Sequence, residues 1–245
     1  RIRIDQKAVI NSDLYYNTLV NQQKTAINGA RHSPWAMPVF CSLPAFESAP
    51  AGSQDIAPKQ GETVTLIPGN YRDVVLKQKG TLLFTGGIYN LRNLDIGKEV
   101  TVLFAGPSTV RIAEKFALDQ KSTLGPKTGS GIGAADIVFY VSGSNGKDGK
   151  LDSKPGAAAI AQNCTVQANF YAPNGTFSID QNTHATGAFL ARDVVVSQNV
   201  ELSLASHFAP AGGPALAGLP SVTVGSQFAV PVFTRLQRTA EGGAV

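Results

Sequence analysis

A short pattern of apolar and polar positions recurs along the chain. The clearest copies are residues 76–82, 118–124 and 179–185. Each copy is centred on a Gln that is followed directly by Lys or Asn. An apolar residue lies two places before this Gln, and another lies four places after it. The Gln or its replacement falls at positions 6, 23, 60, 78, 98, 120, 162, 181 and 198, so the intervals are 17 to 22 residues except for 37 and 42, which are close to two units each. A period of this length, rich in strand formers and poor in helix signals, is typical of a β-solenoid.

The segments between the copies predict the parts of each solenoid turn. Short alternating runs such as 63–67, 81–84 and 101–104 place one set of side chains inside and the other in water. Turn sequences such as 68–70 and 85–87 separate the runs. We therefore expect the Gln–Lys or Gln–Asn pair at a corner, where Asn tolerates a left-handed backbone and Gln can join an amide ladder.

Alignment of the copies predicts which side chains stack on one another. Glu99 falls between Lys79 and Lys121, where it would offset repulsion between stacked lysines. Two further files follow, an exposed file of threonines (Thr63, Thr81, Thr101, Thr123 and Thr165) and an interior file of apolar residues (Val64, Leu82, Val102, Leu124 and Val166). About nine or ten rungs at roughly 4.8 Å give a rod about 45 Å long.

The predicted domain organisation is a single all-β domain over residues 1–208, a single-stranded parallel β-helix or β-solenoid, followed by residues 209–245. Residues 30–58, with the only Trp (Trp35) and Cys41, are a Pro-rich excursion expected on the flank of the rod, and 142–157 is a polar loop. Residues 209–245 read as a linker and a strand-like extension at 222–233. Since residues 1–4 already alternate, we expect the first rung to begin at once.

Composition excludes several classes of protein. Among 245 residues, 43% are hydrophobic and 16% charged, and no run of about 18 apolar residues exists, so no membrane span is expected. The net charge of +4 is small and scattered, which argues against a nucleic-acid partner but allows contact with an acidic polysaccharide. Because the chain begins with Arg1 and has one Met, we expect a processed form or a fragment.

Four segments carry a resemblance to known proteins: residues 68–74, 85–94, 166–176 and 185–194. Together they resemble the β-helix domains of unknown function in bacterial exported and pilus-associated surface proteins, and are distantly similar to bactofilins, the polymer-forming scaffold proteins. The resemblance covers about residues 55–208. It implies a right-handed winding and an exported structural module, and it supplies no catalytic residues.

Candidate chemical sites all have simpler interpretations. Catalysis on polysaccharides needs clustered carboxylates with a positioned Arg or Lys, and the chain has only 17 acidic residues. Asp73 follows Arg72 and Asp193 follows Arg192, which suggests surface ion pairs or turn caps.

No metal site or ice-binding surface is favoured either. The histidines (His32, His184 and His207) share no metal-ligand spacing, and a loop with Asn145, Asp148 and Asp152 lacks the acidic density of a calcium site. The threonine file lacks a second complete rank, which disfavours ice binding. We predict no enzyme activity, cofactor, catalytic residue or metal site.

The predicted function is structural. A solenoid has two open ends, and no capping helix is evident at either, so we expect an extracellular or cell-surface protein that self-associates into a filament or matrix through these ends or through the C-terminal strand. The alternative is a β-helix that binds or processes carbohydrate, with a surface polysaccharide as partner. Cys41 and Cys164 could form one disulfide in an exported protein or remain free thiols.

Overall fold

The structure, a computed structural model, describes residues 2–4, 6–11, 14–16, 19–21, 23–33, 44–48, 50–150 and 153–208. Within these ranges it is all-β, with one short 3-10 turn at Ala134–Asp136 and no α-helix. The strands, in chain order, are β1 (Ile2–Ile4), β2 (Val9–Ile10), β3 (Leu14–Tyr15), β4 (Leu19–Asn21), β5 (Ala26–Ile27), β6 (Arg31–His32), β7 (Thr63–Leu66), β8 (Gly69–Asn70), β9 (Asp73–Leu76), β10 (Thr81–Phe84), β11 (Gly87–Ile96), β12 (Thr101–Phe104), β13 (Ser108–Leu118), β14 (Thr123–Pro126), β15 (Ile137–Val141), β16 (Ala158–Ile160), β17 (Thr165–Gln167), β18 (Asn169–Ile179), β19 (His184–Thr186), β20 (Phe189–Val196) and β21 (Glu201–Ser203).

The strands stack in parallel as a solenoid of about nine turns, which confirms the predicted fold. A ten-stranded sheet runs in the order β4-β1-β20-β18-β15-β13-β11-β8, with β16 and β9 paired beside it. A nine-stranded sheet faces it in the order β5-β2-β21-β19-β17-β14-β12-β10-β7, and β3 pairs with β6. The right-handed winding stays a prediction.

The order of the turns in the stack differs from their order in the chain. Strands β1 and β2 pair with β20 and β21, the last strands of the solenoid, and β4 and β5 lie outside them. The first residues of the chain therefore do not form an open end, contrary to what their position in the sequence suggests. The stack ends instead with residues 19–33 on one side and residues 50–66 on the other.

In each described copy of the motif, the residue after the Gln or its replacement has a left-handed backbone, as predicted. Eight non-glycine residues have φ between 56° and 63° and occupy the position after the Gln or its replacement: Lys7, Lys24, Lys79, Glu99, Lys121, Asn163, Asn182 and Asn199. Gly61 takes the same position with φ 78°. The amide ladder also forms, since Gln181 Nε2 donates to Gln162 Oε1 at 2.6 Å and Gln198 Nε2 to Gln181 Oε1 at 2.5 Å. These side-chain bonds fix the register of adjacent turns.

The interior is a continuous apolar column between the two large sheets. The predicted interior file is in register from Val64 through Leu82, Val102 and Leu124 to Val166, and all but the terminal Val64 are fully buried. The column also stacks aromatic rings, with Phe84 on Phe104 at 4.7 Å and Phe139 on Phe170 at 4.6 Å between ring centroids. Burial of these large rings supplies much of the driving force for stacking the turns.

The excursion and the loop are partly as predicted. Residues 44–48 lie on the flank of the rod, as expected, but β6 lies inside the predicted range 30–58, and Ile56 forms a bridge with Val74. The excursion is therefore shorter than predicted, because its two ends belong to turns of the solenoid. No strand occurs in the described part of 142–157, as predicted. Trp35, Cys41 and the extension 209–245 lie outside the described residues.

Candidate functional site

The two axial ends of the solenoid are strand edges. In the described part of the chain, β5 at one end pairs only with β2, and β7 at the other end only with β10. In β5, Ala26 N and Asn28 N donate to carbonyl groups of the β2 turn, both at 2.9 Å. Because backbone groups of successive strand residues point in opposite directions, the N–H and C=O of Ile27 face outward along the rod axis.

The opposite end presents the other half of the same pattern. The carbonyl groups of Glu62 and Leu66 accept bonds from the β10 turn at 2.9 and 3.1 Å. By the same alternation, the N–H and C=O groups of Thr63 and Thr65 face outward along the axis. Unpaired edges of this kind are templates for pairing with another chain.

The two edges are complementary. Across the nine-stranded sheet, each strand pairs in register with the next, and this series of partners leads from Thr63 in β7 to Ala26 in β5. The residues that follow these two, Val64 and Ile27, are connected in the same way. A second copy translated along the axis would therefore place β5 beside β7 in parallel, with Ala26 opposite Thr63. The N–H and C=O groups of Ile27 would then lie between the outward N–H and C=O groups of Thr63 and Thr65. This arrangement would allow the same pattern of backbone hydrogen bonds that joins β7 to β10.

Some side chains of the core are only partly buried at the two ends. At the end formed by residues 19–33 and the neighbouring turn, these side chains are Tyr16, Leu19 and Ile27. At the opposite end they are Ile56 and Val64. Beside the latter end, Ile67 is 65% exposed, and Ile88 on the next turn is 47% exposed. Among the described residues, each end is therefore a partly apolar surface rimmed by a strand edge that pairs on one side only.

A small aromatic cluster lies on the outer face of the ten-stranded sheet. Tyr140 and Tyr171 project outward from β15 and β18, and Phe46 of the flank segment packs edge-on against both at 5.7 and 5.5 Å between centroids. Phe208 covers them from the other side at 6.4 and 6.1 Å. The tyrosines are only 4% and 5% exposed, and desolvation raises the pKa of each, so they form a packing interface and are not open to stack on a sugar ring.

Asn169 holds the chain around this cluster together. Its side chain is fully buried, and Nδ2 donates to Ala134 O at 2.7 Å and to Ile137 O at 3.4 Å. Its Oδ1 accepts from Ala188 N and from His207 N, both at 2.9 Å. This amide attaches residues 206–208 to the middle of the rod, so residue 208 lies on the flank of the solenoid.

Of the two Arg–Asp pairs predicted between sequence neighbours, only one forms. Arg192 Nε bonds Asp193 Oδ2 at 2.9 Å, as predicted, but Arg72 does not pair with Asp73. Arg72 Nε donates to Asp55 at 2.6 Å, and Arg92 Nε donates to Asp73 at 2.8 Å, so each pair joins neighbouring turns. The Arg72 guanidinium lowers the pKa of Asp55 to about 2, and hydrogen bonding to Arg92 lowers that of Asp73.

The polar loop does not assemble a cation site from its described residues. The Asn145 side chain is fully buried and is bonded to Thr176. Its Oδ1 accepts a hydrogen bond from Thr176 N at 2.7 Å, and its Nδ2 donates one to Thr176 Oγ1 at 2.7 Å. Asp148 accepts from Lys150 N at 3.2 Å and bonds Ser153, and Asp152 lies outside the described residues. No group of three or more His, Cys, Asp or Glu suited to a metal occurs in the part of the chain that the structure describes.

The remaining residues singled out from the sequence lie on strands and at corners. His184 continues the threonine file, as predicted, and its Nδ1 lies 2.9 Å from Glu201 Oε2. His207 Nδ1 donates to Ala135 O at 2.9 Å. Glu99 lies between two lysines, with its carboxylate 3.9 Å from Lys79 Nζ. Cys164 is a free thiol, and its burial raises its pKa.

Comparison with known proteins does not assign the chain to a family. No protein-family model, curated protein or solved structure matches the chain. Within the described residues, no helix has the length and apolarity needed to cross a membrane. The axial ends are thus the surfaces whose geometry carries the functional argument.

Proposed function

We propose that this chain is a structural protein of the cell surface or the extracellular space that self-associates end to end into filaments. The observation that carries the proposal is the complementarity of its two axial edges, one ending in β5 and the other in β7. Both edges present outward-facing backbone groups in matching alternation, and both have partly buried core residues at the same register positions.

The geometry favours an open chain over a closed ring. Translation along the rod axis brings two different surfaces together, and a heterologous contact that does not close by rotation generates a fibre. Each added copy would continue both large sheets and place Ile27 against Val64 in the interior column. A copy of about nine turns would lengthen the filament by roughly 43 Å.

The test is a disulfide that can form only between copies. Ala26 and Thr63 lie at opposite ends of one file, about 38 Å apart along a single rod, so a bond between cysteines at these positions must join two chains. We expect the variant Ala26→Cys/Thr63→Cys, in a Cys41→Ser background, to give a ladder of multimers on a non-reducing gel after mild oxidation. The matched control, Ala26→Cys/Thr123→Cys, puts the second cysteine in the same file at mid-rod and should give no such ladder.

Electron microscopy of the unmodified protein gives the independent measurement. We expect filaments whose length increases with protein concentration, and whose formation survives truncation after Phe208. Filaments that vanish on truncation would assign the contact to residues 209–245 instead of the axial ends. Isolated rods at every concentration, with no cross-linked ladder, would refute self-association.

The location outside the cell rests on the resemblance of residues 55–208 to exported β-helix domains. Protease treatment of intact cells that produce the protein, followed by immunoblotting, tests it. Loss of the band from intact cells is the expected result, and full protection until the cells are lysed would contradict it.

A further inference from the structure

The structure assigns a second role to the two N-terminal turns, and this inference rests on the proposed self-association. These turns, residues 2–33, are called here the N-terminal cap. We propose that the cap is an exchangeable unit, and that it binds the edge formed by β20 and β21 on a second copy of the chain as well as on its own.

The cap is held together better than it is held to the rod. Its two turns pair with each other on three sides, β1 with β4, β2 with β5 and β3 with β6. Its junction with the rod has only two sides, because neither β3 nor β6 pairs with a strand of the rod in the described residues.

The junction is also short within each sheet. In the nine-stranded sheet it consists of Val9 opposite Glu201 and Ile10 opposite Leu202. In the ten-stranded sheet it is limited to residues 3–4 opposite 195–196, whereas β18 pairs with β20 from Phe170 to Ile179. This seam is therefore the place where the stack opens at least cost.

The cap nevertheless needs a partner surface. Ile4, Ala8, Ile10 and Leu14 are at most 2% exposed, and separation from the rod would uncover them together with the half-buried Leu202. The β20–β21 edge satisfies this need, and it is identical in every copy, so it cannot distinguish a cap of its own chain from that of another. Exchange of an identical element between copies is the low-cost route to assembly known as domain swapping.

The connection to the rest of the chain is long enough to permit the exchange. The cap stands about three to four turns, or roughly 14–19 Å along the axis, from Phe46 on the flank, counted by the 4.8 Å rung spacing. The intervening residues 34–45 can span about 40 Å when extended. The covalent connection therefore does not force the cap onto its own rod, although it favours it by raising the local concentration.

A disulfide across the seam reports which chain supplies the cap. The variant Val9→Cys/Glu201→Cys, in a Cys41→Ser background, places cysteines at register partners on the outer face of the nine-stranded sheet. Neighbouring strand positions have the separation that a disulfide requires. The control, Thr81→Cys/Thr101→Cys, places cysteines in the same file across a seam inside the rod, where the bond must stay within one chain.

Both variants are refolded at micromolar and at near-millimolar protein concentration, oxidised, and run on a non-reducing gel. For the seam variant we expect a shift from an intrachain band to interchain multimers, rising several-fold between the two concentrations, while the control stays intrachain at both. A seam variant that is purely intrachain at both concentrations would overturn the exchange.

The two cross-links distinguish failure of the exchange from failure of axial stacking. Cross-linking of Ala26→Cys/Thr63→Cys with a purely intrachain seam would leave end-to-end self-association standing and remove the exchange. Interchain bonds at the seam without an Ala26–Thr63 ladder would support the exchange and refute axial stacking.

Discussion

Replacement of Asn169 by alanine should loosen the flank of the rod more than any other single side-chain deletion outside the apolar column. The amide serves two buried carbonyl groups and two N–H groups, and Asn169→Ala leaves Ala134 O, Ala188 N and His207 N without it. An unsatisfied buried polar group costs about 1–3 kcal/mol, and His207 is only partly buried, so we expect a loss of about 3–5 kcal/mol in the free energy of unfolding.

The assay has a global and a local readout. Urea unfolding followed by circular dichroism gives the free energy, and hydrogen exchange with mass spectrometry gives the protection of residues 186–190 and 204–208. The control is Asn145→Ala, which deletes a second fully buried Asn that bonds Thr176. It should destabilise the protein without increasing exchange at 204–208, because residues 206–208 are attached through Asn169.

Two results would refute this reasoning. If Asn169→Ala lowered the free energy of unfolding by less than about 1 kcal/mol, water would be replacing the hydrogen bonds that the Asn169 amide makes. Unchanged exchange at 204–208 would show that the segment is held by its aromatic contacts and not by the amide.

The variant Asn169→Asp adds a pH dependence with a definite sign. A buried carboxyl group has a folded-state pKa above its unfolded value of about 3.9, because burial disfavours the charged form. Its contribution to stability is therefore fully present below about pH 3.9, where the protonated group can still donate to Ala134 O, and is lost as the pH rises through the folded-state pKa. We expect the variant to approach the wild type near pH 4 and to be clearly weaker at pH 7, whereas equal deficits at both pH values would contradict this.

Three further changes have expected outcomes in urea unfolding. Phe139→Ala removes a fully buried ring stacked on Phe170 and should cost about 3–5 kcal/mol, and a loss under 2 would mean that the column collapses around the gap. Lys121→Asn, at φ 58°, should stabilise by up to about 1 kcal/mol and Lys121→Val should destabilise, so the same sign for both would contradict a left-handed corner. Arg92 lowers the pKa of Asp73, so the stability that the pair adds is present above about pH 3.9 and lost as the pH falls; the deficit of Arg92→Ala should shrink in acid, and a constant deficit would contradict the pairing.

The sequence predicts the local geometry of each turn well, because that geometry depends on residues close together in the chain. A left-handed corner needs Asn, Gly or a residue forced into that region, and the motif places Asn163, Asn182 and Gly61 there. Alternation of period two then assigns Val64 and Thr63 to opposite faces. These assignments extend from one turn to the next by register alone.

Pairings between turns are harder to predict than the turns themselves. Asp73 follows Arg72 in sequence, yet its partner is Arg92 one turn away, whereas Asp193 pairs with its neighbour Arg192, so the sequence order of Arg and Asp does not decide the partner. Asn169 gives no signal in the sequence, since its function depends on four backbone groups from three separate segments.

The stack order could not follow from the repeat, and the reason bears on function. The sequence identifies a turn by its corner, its outer file and its interior file. Because these are similar in every copy, the repeat does not tell beside which turn residues 2–16 stack. In the folded chain, Ile10 extends the interior file beyond Leu202 although 192 positions separate them in the sequence. Within a single chain, the covalent connection favours this order without requiring it, because it raises the local concentration of the N-terminal turns beside their own rod. Between chains no such connection acts, and the proposed end-to-end contact would depend on the same interchangeability that hides the stack order in the sequence.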